Sequence, residues 1–267
     1  MTISAFKKLV WDFFAHNKRS FPWRDTRNPY EIFVSEFMLQ QTQTARVIPK
    51  YLSWLQLFPT VATLAQAPLS TVLTEWSGLG YNRRAKFLHS AAKVIAIDLK
   101  NVFPSTYAEL IQLPGVGHYT ANAVLAFAYN QPVPVVETNI RTVFLHHFFS
   151  NSQKITEKEF ESLATETVDN DNPREWYYAL MDYGNWLKTE GIHHFDRQKK
   201  YRKQAPFKGS DRFVRGYLLR EVLKYNSLKL SDVIIPGYSA ATVKKIAEIL
   251  HQEGFLIKQG LYIKKVV

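Results

Sequence analysis

The sequence predicts a mainly α fold that ends in a small α+β module. Three observations carry that reading. Apolar residues recur at helical spacing through most of the 267 positions, prolines punctuate them at short intervals, and the last stretch alternates around a glycine in the manner of a β-hairpin. With 46% hydrophobic residues the chain is long enough for one large core or two modest ones. The order of strand-like and helical segments does not suggest an alternating α/β fold.

Taken in order, Met1 to Arg19 reads as an amphipathic helix with Phe6, Leu9, Val10, Phe13 and Phe14 on one side, lacking the apolar run and cleavage site of a signal peptide. Helical spacing returns in Val34, Met38 and Leu39, then in Val47, Tyr51, Trp54, Leu55 and Phe58. It continues in Leu69, Val72, Leu73 and Trp76 and in Leu88, Ala91, Ala92 and Ile95. Pro49, Pro59, Pro68, Pro104, Pro114, Pro132, Pro134 and Pro173 mark starts, stops and turns, which together imply about ten short helices. Leu113-Pro114-Gly115-Val116-Gly117 separates a helix over Tyr107 to Gln112 from another over Tyr119 to Tyr129, and a further helix runs from Ile140 to Phe149. From His193 the composition turns basic, and residues 196–210 read as a solvated connector. Asp211 to Tyr225 and Ala240 to Glu253 are helices, and Gly254 to Ile263 is a hairpin turning at Gln259-Gly260, so 211–267 is winged-helix-like. No repeat of 20 to 50 residues is evident.

The formal net charge of +11 suits a polyanionic partner, although many basic proteins have none. No run approaches the roughly 20 apolar residues of a membrane span. There is no cysteine, which excludes disulfides, thiolate zinc sites and a cysteine-ligated iron–sulfur cluster and points to the cytosol. Adjacent His193 and His194 lie in a polar stretch and are assigned no metal.

Several residues carry chemistry of their own. The glycines of the Leu-Pro-Gly-Val-Gly turn permit backbone angles that free the amides of Gly115, Val116, Gly117 and His118 at a helix start, where the helix dipole favours an anion such as a DNA phosphate. Glu36 lies in an otherwise apolar helix, where burial raises a carboxyl pKa and keeps its proton near neutral pH. The other reading of Glu36 is an acid that only complements the dipole. Glu137 precedes a helix and reads either as its cap or as a second functional acid.

Ordered blocks give these residues a context. They are Phe21-Pro22-Trp23-Arg24-Asp25-Thr26-Arg27-Asn28-Pro29-Tyr30, Val34-Ser35-Glu36-Phe37-Met38-Leu39-Gln40-Gln41-Thr42-Gln43-Thr44, Phe58-Pro59-Thr60-Val61 and Trp76-Ser77-Gly78-Leu79-Gly80-Tyr81-Asn82-Arg83-Arg84-Ala85. The Gly115–Gly117 turn, Glu137-Thr138-Asn139 and Ala179-Leu180-Met181-Asp182-Tyr183-Gly184 follow. In this order they resemble the helix-hairpin-helix DNA glycosylases and, within them, the MutY adenine glycosylases. The resemblance implies a two-lobed core over 1–195, with a six-helix lobe at about 28–135 and a second lobe of the N-terminal helix plus 136–195.

It implies roles as well. Glu36 would protonate a flipped purine at N7, and Glu137 with Asn139 would stabilise the sugar cation and handle water. The family has aspartate where this chain has Glu137, one methylene shorter. Tyr119 stands where strand-cutting relatives have lysine, so no Schiff base and no lyase step is expected. Gln40, Gln41 and Tyr81 would enter the gap left by the flipped base. Arg24 and Arg27 would lie near the base pocket, the other reading being that arginines in such a turn pair with helix acids. Arg83, Arg84, Lys86, Lys199 and Lys200 would contact phosphates, the other reading of Arg83, Arg84 and Lys86 being a solvated helix face. Relatives carry an iron–sulfur cluster after the Met-Asp-Tyr-Gly block, which this cysteine-free chain cannot form; the basic run from Arg197 and the aromatics Trp186, Phe195, Tyr201 and Phe207 are expected in its place. The resemblance allows a monovalent cation at the hairpin carbonyls and otherwise no cofactor. The last 60 or so residues do not read as the Nudix-like domain of longer relatives, while Phe207-Lys208-Gly209-Ser210-Asp211-Arg212 resembles a segment of short ones.

The expected function is therefore monofunctional excision of adenine opposite 8-oxoguanine or guanine in double-stranded DNA, by a monomer in the cytoplasm associated with the nucleoid. A thymine or uracil mismatch glycosylase acting opposite guanine is the alternative within the class. A catalytically impaired DNA-binding protein of the same fold is the alternative outside it.

Overall fold

The computed structural model describes residues 1–149, 155–192, 194 and 206–266. Among them, thirteen α-helices precede or surround one small antiparallel sheet. The chain forms two compact units. The first comprises Met1–Gln41 and the described part of Val102–Arg202; the second comprises Thr42–Asn101 and the described part of Lys203–Val267. This division differs from the expected boundaries. The segment expected as one lobe, 28–135, is shared between the units, and 211–267 belongs with Thr42–Asn101.

In the first unit, α1 (Ile3–Asn17) starts on Thr2, whose side chain accepts from the Ala5 amide. It buries Phe6, Val10 and Phe14, and Phe13 packs on Tyr183 and Trp186, while Leu9 diverges from the expected face. Leu9 is exposed because the stripe at positions 6, 10 and 14 already fills the groove. Phe6 meets Trp176 edge-on at 5.9 Å between centroids, which joins α1 to α11 (Pro173–Thr189). α2 (Pro29–Leu39) is capped by Asn28 and has Pro29 at its first position, which costs no intrahelical bond. Every residue from Ile32 to Met38 is buried, so α2 runs through the interior and is apolar there except at Ser35 and Glu36. α7 (Tyr107–Leu110), the Gly115 turn, α8 (His118–Tyr129), α9 (Thr138–His147) and α10 (Glu157–Thr167) complete the unit. α8 packs along α2, and α9 along α11.

In the second unit, α3 (Thr44–Leu57), α4 (Val61–Gln66), α5 (Leu69–Trp76) and α6 (Arg83–Lys93) surround Trp54 and Trp76, whose rings meet edge-on at 5.6 Å. Pro49, expected at a helix boundary, sits inside α3, on its exposed side. α12 (Asp211–Tyr225) and α13 (Ala240–Gln252) fall within a residue of their expected ends. The expected hairpin is β2 (Leu256–Gln259) and β3 (Tyr262–Lys265), and β1 (Ser227–Lys229) adds to it in the order β1-β3-β2. Three residues are too few for an alternation to be read, which is why β1 was not expected. α12 packs on α5 as well as on the sheet. Glu253 accepts from Arg83 of α6 and from Arg215 of α12, the latter at 2.6 Å, and these contacts tie the C-terminal segment into the unit. The connector at 196–210 lies mostly outside the described residues.

Candidate active site

The site is built on four elements of the first unit: α2, the turn into α8, the start of α9 and the end of α11. α2 carries Glu36, which is only 5% exposed. Burial raises its pKa to about 7; the Tyr119 hydroxyl, donating to the carboxylate, lowers it, and the negative charge of Glu137 raises it. The Tyr119 phenol is itself pushed well above its ordinary value by burial and then by the two glutamates. Tyr119 therefore remains a neutral donor at any physiological pH. The tyrosine at this position supplies no amine.

Glu137 caps α9. Its Oε1 accepts from the amides of Asn139 at 2.7 Å and Ile140 at 3.0 Å, and Oε2 accepts from Asn139 Nδ2 at 3.2 Å. Two of the four unpaired donors of the first turn are thereby satisfied. The cap does not compete with a chemical role, because it fixes the orientation of a half-buried carboxylate that interacts with Glu36. Asn139 is held in turn by Lys188 Nζ, which donates to Asn139 Oδ1 at 2.7 Å. Lys188 was not foreseen. Its partner lies 49 positions away, and no motif spans that interval.

Gly115 takes the left-handed conformation (φ 77°), whereas Gly117 is the N-cap of α8 at φ −103°, so only one of the two glycines uses its freedom. No side chain caps α8, and the His118 ring instead meets the Tyr107 hydroxyl at 3.0 Å. Val116 is buried, while Gly115 and Gly117 are exposed.

Other expected site residues have firm partners. Arg24 is buried and donates from both Nη atoms to Asp182 at 2.8 Å, with its guanidinium over the Tyr178 ring. Arg27 is exposed. Gln40 Nε2 donates to Thr120 Oγ1 at 3.4 Å. Gln41 and Tyr81, the two side chains expected as wedges, both have left-handed backbones, φ 53° and φ 49°. Only Lys100 and three asparagines share that trait among the described non-glycine residues. Strain of this kind concentrates at functional sites. Tyr81 is 39% exposed, and its hydroxyl accepts from Arg212 at 3.2 Å.

Arg84 departs from the expected phosphate contact. It is buried, its Nη2 donates to Thr42 Oγ1 and to the carbonyls of Leu79 and Gly80, and burial lowers its pKa to about 10. Its guanidinium is turned inward to hold the Tyr81 turn. Arg83 is paired with Glu253, with its side chain still mostly exposed. Lys199 and Lys200 lie outside the described residues, as do His193, Phe195 and Tyr201. Trp186 stacks on Tyr183, and Phe207 packs on Phe213. Without a thiolate, the residues after Gly184 do not fit an iron–sulfur cluster.

The site thus pairs a buried, protonatable acid with a capped second carboxylate; in the turn before α8 the Val116 amide, expected to be free, donates instead to the Leu113 carbonyl at 3.1 Å, because the turn closes on itself. The family model for the HhH-GPD superfamily base excision DNA repair protein matches residues 34–169, which include Glu36, the hairpin, Glu137 and Asn139. The chain belongs to this superfamily. Among curated proteins, the adenine DNA glycosylase of Mycobacterium tuberculosis is 38% identical over 81% of this chain and 77% of its own length. That of Buchnera aphidicola is 36% identical over 69% of this chain, which spans 53% of that protein. A solved thermostable thymine-DNA glycosylase is similar at TM-score 0.64 and 27% identity, covering 68% of this chain and 85% of its own. A trapped endonuclease III–DNA intermediate shares the fold at TM-score 0.61 and 19% identity, covering 70% of this chain and 87% of its own. No helix among the described residues is long and apolar enough to cross a membrane.

Proposed function

We propose that the chain hydrolyses the N-glycosidic bond of adenine mispaired with 8-oxoguanine or guanine and leaves an abasic site. The observation that carries this reading is the pair of carboxylates with different environments. Glu36 keeps a proton near pH 7, and Glu137 is fixed in place by the backbone amides of Asn139 and Ile140. Glu36 gives its proton to N7 of the flipped adenine as the C1′–N9 bond breaks. The bonding pair leaves with the base, and the sugar becomes an oxocarbenium ion. The Glu137 carboxylate stabilises that cation and takes a proton from the water whose oxygen bonds to C1′. Tyr119 orients Glu36 and offers no amine, so the product stays an intact abasic strand.

Gln41 and Tyr81 fill the stack from their strained turns, and the α8 amides and exposed basic residues hold phosphates of double-stranded DNA. The mycobacterial and Buchnera relatives are named as adenine glycosylases, which supports adenine as the base. The likeness to a thymine-DNA glycosylase favours a second reading, thymine or uracil opposite guanine; the Gln40-Gln41-Thr42-Gln43 run favours adenine over it.

The test incubates the purified chain with duplexes carrying single A:8-oxoguanine, A:G, T:G and U:G pairs. Alkali-dependent cleavage at adenine is expected. Cleavage at thymine or uracil alone would establish the second reading, cleavage without alkali would refute the lyase-free product, and no cleavage would leave a DNA-binding protein without this activity.

A further inference from the structure

Lys188 is placed where stability alone would not put it. It projects over the first turn of α9, and a cation there opposes the helix dipole. It is half-buried, and desolvation lowers its pKa, offset by the charge of Glu137. A close approach of two helices brings it there. Gly184 lies one turn earlier on the same face of α11, and a Cβ at that position would overlap the Asn139 carbonyl, so only glycine lets α11 come this near α9. Lys188, four residues on, then meets Asn139 Oδ1. That bond orients the Asn139 amide so that its Nδ2 points at Glu137 Oε2.

We propose that Lys188 is a positioning residue for the hydrolytic step: through Asn139 it fixes the Glu137 carboxylate. The proposal rests on the glycosylase reading and deepens it. It also accounts for the extra methylene of Glu137, a longer and looser acid than aspartate that is tied down by a cap on one side and the Lys188–Asn139 bridge on the other. A misplacement of about 1 Å at such a group costs on the order of a hundredfold in rate. Among the described residues, Glu36 from α2, Tyr119 from α8 and Lys188 from α11 interact electrostatically with Glu137. Lys188 is the one cation of the three.

The experiment compares wild type with Lys188→Met, Lys188→Gln and Lys188→Arg by single-turnover excision from an adenine mispair. Affinity is measured separately on a duplex bearing a non-cleavable adenine analogue. Lys188→Met should lower the excision rate roughly tenfold to a hundredfold with affinity kept. Its melting temperature should match or exceed that of wild type. Lys188→Gln and the conservative Lys188→Arg keep a donor for Asn139 and should each restore part of the rate. An active wild type whose Lys188→Met variant keeps its rate, or whose loss neither Lys188→Gln nor Lys188→Arg relieves, would overturn the inference alone, and so would a loss confined to melting temperature or affinity. An inactive wild type would overturn the glycosylase reading together with it.

Discussion

Glu36 concentrates the conflict between stability and function. Its folded pKa of about 7 lies above the ordinary carboxyl value of 4.5, so the native state binds more protons than the unfolded state between these limits. The favourable contribution is complete below about pH 4.5 and is lost as pH rises through 7. Above that, keeping the ionised acid buried costs about 3 kcal/mol. Glu36→Gln should therefore unfold less readily than wild type at pH 8, with the difference vanishing near pH 4.5, as urea titrations across that range would register. The same variant should lose on the order of 10²–10⁴ in excision rate. In wild type, excision should fall as pH rises past 7, because the proton donor is then ionised. Gln41 presents a milder version of the same trade. Its left-handed backbone is strained by about 1 kcal/mol relative to glycine. Gln41→Gly should raise the melting temperature while slowing excision, because the strain goes together with the side chain that would enter the duplex.

At the level of elements, the site depends on how closely α9 and α11 approach. Gly184→Ala forces α11 away from Asn139 and should cost about 1–3 kcal/mol. Lys188 and Asn139 separate with it, so excision should fall by more than the stability loss explains; calorimetry and single-turnover rates on one preparation compare the two. The Leu-Pro-Gly-Val-Gly turn, Glu36 on an apolar helix and Glu137 before a helix were all legible in the chain, because each is coded by neighbours within one or two helical turns. The same holds for α1, α8, α12, α13 and the hairpin. Arg84 was not legible. A run of Arg83, Arg84 and Lys86 reads as a solvated basic face, yet the helix turns Arg84 inward to bind the carbonyls of Leu79 and Gly80. For Arg24 the pairing with a helix acid was legible, but not which acid, since Asp182 comes from a helix 158 positions away.

For the whole molecule, the grouping of segments is the main departure from expectation. The C-terminal helices and sheet share a unit with α3–α6, and Glu253 is a principal link, with its carboxylate held below the ordinary range by the Arg83 and Arg215 bonds despite partial burial. Glu253→Gln should destabilise this unit by about 1–3 kcal/mol, the usual loss for hydrogen bonds to a charged group. Because a lowered carboxyl pKa stabilises above the unfolded value and loses that effect as pH falls through the folded one, the gap between wild type and variant should close in acid. Thermal melts at pH 7 and pH 3 would reveal this. What the sequence by itself determined was the helical class, the family and the residues that bear protons, since periodicity, turn chemistry and motif blocks are local and survive in one dimension. Only the tertiary structure decided which of those residues meet. Lys188 at Asn139, Gly184 under α9 and Glu253 between two arginines are pairings of distant segments, set by close packing, whose geometry no local pattern encodes.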